Sequence, residues 1–127
     1  MMATNPYKIY KEQDLDTSNP REIVGKLYGA ASLSLRRAVL EINNNNIEKA
    51  NECIKKSENI ICVLNNSLDM NIPISAQMHD LYDYMIKRMI EANVKKDIQI
   101  LNEISGLISE FRDTWEQAFA LGGKNRL

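Results

Sequence analysis

An all-α antiparallel four-helix bundle, preceded by a short N-terminal helical segment, is the fold class this sequence predicts. Three observations carry that expectation. Apolar residues recur at i, i+3, i+4 and i+7 in four separate segments, and no stretch alternates convincingly as a strand. Caps and breakers separate those segments by short turns, which favours antiparallel neighbours. At 127 residues, with 44% hydrophobic and 26% charged side chains, the chain is long enough to close one hydrophobic core.

Ahead of the first long helix, the stretch NPYKIYKE places Tyr7, Ile9 and Tyr10 on a tail, where apolar side chains ordinarily have nothing to bury against. Asn5 as cap and Pro6 at the first helical position fit a short helix there. The first long helix is predicted over 20–43. Asn19 caps it, Pro20 opens it and Glu22 completes a capping box. Its inward face is Val24, Leu27, Tyr28, Ala31, Leu35, Ala38, Val39 and Ile42. The run Asn43 to Asn46 stops it, because asparagine tolerates the left-handed conformation at a helix end and also caps the next helix.

The second helix is predicted over 46–69, with Ala50, Cys53, Ile54, Ser57, Ile60, Ile61, Leu64 and Leu68 on one face. It ends near Asp69, since Pro73 pushes Ile72 out of helix. Ser75 is expected to cap the third, over 75–94, whose face is Met78, Leu81, Tyr82, Met85, Ile86, Met89 and Asn93. Lys95 and Lys96 suit its C-terminal dipole. Asp97 caps the fourth, over 97–120, which carries Leu101, Ile104, Ile108, Phe111, Trp115 and Phe119. One domain is therefore expected over 1–127: a tail or cap at 1–17, the bundle at 19–120 and a frayed end at 121–127.

The composition argues against most chemistry. A net charge of -1 gives no broad footprint for nucleic acid or an anionic membrane. No run approaches the roughly 18 apolar residues of a membrane span. The N-terminus lacks the apolar stretch of a signal peptide, so a cytoplasmic location is expected. Cys53 and Cys62 stand nine steps apart on opposite faces of one predicted helix, too far to bridge, and two reduced thiols suit a reducing compartment. His79 is the single histidine and falls at the edge of an apolar face, which speaks against both a Cys/His zinc site and a general base. Glu48, Glu52 and Glu58 lie among lysines and read as a solvated face. Met78, Met85 and Met89 read as core filling rather than an adaptable surface. The GGK near the C-terminus lacks the spacing of a phosphate loop. No catalytic residue, metal or cofactor is expected.

More informative are apolar residues that a bundle core does not require. Leu33 and Leu40, seven apart, point nearly opposite to the inward face of the first helix. Ile100 and Leu107 widen the stripe of the fourth beyond one seam. Tyr84 projects among Asp80, Lys87, Glu91 and Lys95. Together with Tyr7, Ile9 and Tyr10 they are the candidate partner-binding residues, of the kind used in helix-in-groove recognition. By pattern alone, self-association or incidental exposure accounts for them equally well.

The stretches NPYKIY, LYDYMIKRMIEAN from Leu81 to Asn93, the following KKD, and FRDTWEQA from Phe111 to Ala118 resemble, in this order and spacing, the flagellin-specific export chaperones of the FliS type. The likeness runs from Asn5 to about Ala118. One departure lies at LYGAA, Leu27 to Ala31, where such proteins typically read LYDGA; no contact is carried over to Gly29 or Ala30. The resemblance implies a cytoplasmic bundle that binds the disordered C-terminal segment of flagellin. Holding that segment prevents premature polymerisation and keeps the subunit competent for export, with other flagellar export components as further partners. With such a partner, the tail reads as a mobile cover over an apolar groove, the alternative being a fixed fifth element packed on the bundle. The rival readings are a self-associating helical scaffold and a regulator that binds another amphipathic peptide.

Overall fold

The structure, a computed structural model, describes residues 20–118. Four helices account for nearly all of it: α1 Pro20–Asn43, α2 Ile47–Asn66, α3 Ser75–Lys95 and α4 Ile98–Ala118. Among the described residues there is no strand. Tyr7, Ile9, Tyr10, the Asn19 cap, Phe119 and the 1–17 and 121–127 segments lie outside the described residues.

The turns show why the helices stop where they do. Asn45 adopts the left-handed conformation at φ 60. Its N–H donates to the Ile42 carbonyl at 3.0 Å, and the Asn46 N–H reaches back to Glu41 at 2.7 Å. This paired closure satisfies the last carbonyls of α1, with asparagine in the place more often taken by glycine. At the other hairpin Lys96 is left-handed, and Asp97 N–H donates to the Ala92 carbonyl at 3.0 Å. Asp97 then caps α4 as expected, its Oδ1 accepting from the N–H groups of Gln99 at 3.0 Å and Ile100 at 3.2 Å. Asp97→Ala should cost about 1 kcal/mol of stability, read as a shift in urea midpoint with unchanged slope.

The loop between α2 and α3 departs from expectation. Helix α2 ends at Asn66, three residues early, and the Ser67 hydroxyl folds back onto the Val63 carbonyl at 2.8 Å. Chain reversal then starts at Asp69, whose side chain accepts from the Asn71 N–H at 3.0 Å, well before Pro73. Ser75 does not cap α3. It is already the first helical residue, and its hydroxyl spans the loop to the Asp69 carbonyl at 2.7 Å.

Helix pairs at the seams run antiparallel, in a ring where α1 packs most extensively on α2 and α4, and the α3–α4 seam is the thinnest. Small residues let α1 approach closely. Gly25 faces Trp115 and Gly29 faces Arg112, so side chains of α4 lie directly over the α1 backbone. Next along this seam, Ser32 Oγ donates to the Ser105 carbonyl at 3.0 Å while Ser105 Oγ donates to that of Ser32 at 3.2 Å. Ser109 adds a hydroxyl contact to Ser32 at 2.7 Å. On the α2 side Ser57 Oγ donates to the Ala31 carbonyl at 3.0 Å, and Asn93 Nδ2 ties α3 to Asn51 of α2 at 2.7 Å. Each such bond satisfies a buried polar group and fixes a register.

The core is the expected one with a few exchanges. Leu27, Tyr28, Ala31, Leu35, Ala38, Ile54, Ile60, Ile61, Met85, Met89, Leu101, Ile104 and Ile108 are buried, joined by Ile23, Val63 and Ala92. Leu81, expected inside, is 38% exposed; it lies on the side of α3 nearest the thin seam.

Tyr28 and Tyr82 meet hydroxyl to hydroxyl at 2.5 Å across the bundle, with Phe111 edge-on to Tyr28. Burial first, then the neighbouring Tyr28, pushes the Tyr82 phenol far above its usual value. Burial likewise raises Tyr28, partly opposed by its hydrogen bond to Tyr82. Because the folded-state values exceed the unfolded value of about 10, the neutral pair supports the fold fully below that pH. The support is lost as pH rises beyond it. Wild-type stability should therefore fall above about pH 10. A Tyr28→Phe/Tyr82→Phe variant, which leaves no orphaned hydroxyl, should fall less steeply in the same urea titrations.

Candidate functional site

With the inward faces occupied by core packing, recognition is left to the outer surfaces. Leu33 and Leu40 are 59% and 60% exposed on the outer face of α1, as their helical phase predicts. Beside Leu33, α1 and α2 border an open groove of about 630 Å³. Lys26, Gly29, Ala30, Leu33, Ser34, Arg37 and Glu41 line it from α1, and Lys49, Glu52, Cys53 and Lys56 from α2.

The other candidates do not gather there. Ile100 is only 7% exposed and belongs to the core, and Leu107 is half-buried and packed against it. The expectation that the bundle core does not require them is corrected: Ile100 is part of it and Leu107 packs on it. In a ring each helix has two neighbours, so α4 needs an apolar stripe wide enough for two seams. Ile100 is four residues, about one turn, from the fully buried Ile104.

Tyr84 is 42% exposed, but its hydroxyl donates to Glu103 Oε2 at 2.6 Å. Arg88 donates to the other Glu103 oxygen at 3.0 Å and to Glu91 at 2.8 Å. Lys95 completes the chain to Glu91 at 3.2 Å. Tyr84 and then Arg88 hold the Glu103 carboxyl below the usual carboxylate range, while Lys95 and then Arg88 do so for Glu91. The cluster clasps α3 to α4, across the bundle from Leu33.

Chemically the surface is quiet. Burial raises the Cys53 thiol, with the cations Arg37 and Lys56 opposing and Glu41 and Glu52 adding. Burial, then Glu58 and Asp83, raises Cys62. A protonated thiol is a poor nucleophile. Glu58 is half-buried rather than fully solvated, and desolvation raises its carboxyl. His79 is exposed, donating from Nδ1 to Asn65 Oδ1 at 2.8 Å. Among the described residues no group of three or more acidic, histidine or cysteine side chains could hold a metal ion. No described helix is long and apolar enough to cross a membrane.

The sequence pattern did not single out the groove cations. Lys49, Glu52 and Lys56 recur at helical spacing on the outer face of α2, a signal that was present but reads as ordinary solvation until α1 is laid beside it.

The family model described as "Flagellar protein FliS" matches residues 3–121. The chain is 39% identical over 126 residues to the flagellar secretion chaperone FliS of Bacillus subtilis, covering 99% of this chain and 95% of that protein. It is 30% identical to the flagellar secretion chaperone FliS of Salmonella typhimurium, with 92% of each covered. The Vibrio cholerae protein of the same name is 29% identical, over 87% of this chain and 82% of its own length.

Proposed function

Because this chain belongs to the FliS family of flagellar secretion chaperones, we propose that it works in the cytoplasm on flagellin itself. It binds the disordered C-terminal segment of flagellin, prevents premature polymerisation, and keeps the subunit competent for secretion. The observation that carries this reading is the pair of exposed leucines, Leu33 and Leu40, on a bundle whose core is already filled. Two large apolar side chains on one outer stripe offer anchors that the fold itself does not use. The partner segment folds as it binds, so part of the gross contact energy goes into ordering it. Neither nucleotide nor metal enters such a mechanism. Tyr7, Ile9 and Tyr10 belong to the same proposal as a cover that yields the groove when flagellin arrives.

Isothermal titration with a synthetic peptide of the cognate flagellin C-terminal segment tests the reading. Saturable binding is expected, with a negative heat-capacity change and a gain of helicity. Absence of binding, together with a concentration-dependent dimer that buries Leu33, would establish a self-associating scaffold instead.

A further inference from the structure

We propose that the α1–α2 groove selects a helical segment whose apolar anchor lies against Leu33 and whose flanking residues are acidic. The inference rests on the reading of the bundle as a peptide-binding chaperone and adds which peptide chemistry the groove prefers.

The charge of the groove is opposite in sign to that of the chain. Lys26, Arg37, Lys49 and Lys56 face Glu41 and Glu52, a surplus of two positive charges within a protein of net charge -1. Arg37 and Glu41 already pair with each other at 3.5 Å. Lys26, Lys49 and Lys56 are exposed and, among the described residues, pair with no carboxylate. Elsewhere the cations Arg88, Lys95 and Arg112 are each matched to an acid. Arg36, Lys55, Lys87 and Lys96 likewise form no salt bridge among the described residues, so what sets the valley apart is that three such lysines line it beside one exposed leucine.

Their placement suits a helix. Ser57 bonded to Ala31 sets the α1–α2 register, so Lys56 stands level with the turn of Leu33, and Lys49 near that of Leu40. Lys26 lies about 10 Å from Leu33 along α1. The cations therefore stand beside and on either side of the anchor, over a length of about four helical turns. An amphipathic helix laid in such a valley places its apolar stripe on Leu33 and its border residues over the lysines. Burial keeps the Cys53 thiol protonated at the α2 wall, so the lining there is uncharged. Glu41 and Glu52 stand in the same valley and repel a continuous polyanion such as a nucleic-acid backbone.

The test compares the full chain with Lys26→Glu/Lys49→Glu/Lys56→Glu, whose exposed positions leave the bundle intact by circular dichroism. The probes are the flagellin C-terminal peptide and two designed helices with identical apolar anchors, one flanked by glutamates and one by lysines. At low salt the reversed variant should bind the flagellin peptide and the glutamate helix about tenfold more weakly than wild type. The gap should narrow at high salt, whereas Leu33→Ala should weaken binding at both. If the variant binds flagellin as tightly as wild type, the charge preference is overturned and the chaperone reading stands. If flagellin fails to bind at all, the reading in the preceding subsection falls. In that case a wild-type preference for the glutamate helix supports the groove's selectivity, and equal binding of both helices overturns it.

Discussion

Ile61→Ala should destabilise the bundle by about 2–5 kcal/mol, the largest single effect expected of any substitution named here. Ile61 is fully buried on α2, within the core cluster that joins all four helices. Truncation removes three methyl or methylene groups and leaves a cavity that packed helices collapse into only in part. Against a total stability of about 5–15 kcal/mol for a domain this is a large fraction, and the melting temperature should drop by on the order of 10 °C. Ile100→Ala should follow the same direction, because Ile100 belongs to that core. A near wild-type melting curve for Ile100→Ala would contradict its place there.

Leu33→Ala/Leu40→Ala should behave in the opposite sense. Each leucine is exposed, and on the proposed function its truncation should cost about 1–2 kcal/mol of binding. Seven residues apart and without shared partners, the two should act nearly additively. The affinity for the flagellin peptide should fall about a hundredfold while stability changes by less than about 0.5 kcal/mol. Calorimetric titration and thermal melting on the same preparation separate the outcomes. Normal binding would place the recognition surface elsewhere, and lost stability would mean that these side chains support the bundle. Set beside Ile61→Ala, the pair divides residues that hold the fold from residues that use it.

Local chemistry made the architecture readable. Asn45 and Asp97 mark boundaries because their backbone or side-chain requirements are met by nearest neighbours, and α1, α3 and α4 begin within a residue of the expected positions. Ser75 was misread for the complementary reason. Its hydroxyl answers to Asp69, six residues back across a loop, rather than to its own helix. Ile100 and Leu107 were misread because stripe width depends on how many neighbours a helix has, which single-helix periodicity does not encode. Leu33 and Leu40 were legible because nothing beside them competes for their face. The lysines of the groove were not, since the charge of a valley belongs to two helices together.

The reciprocal bonds between Ser32 and Ser105 join residues 73 positions apart, which bears on the birth of the protein. As the chain leaves the ribosome, α1 and α2 can pair at once through their three-residue turn. The other flank of α1, with Gly25, Gly29 and Ser32, waits until α4 has been synthesised almost to its end. During that interval a sticky strip is bare in the nascent chain, and a stop codon after α3 would leave it bare for good. Truncated products that lack α4 should therefore be prone to aggregation or proteolysis.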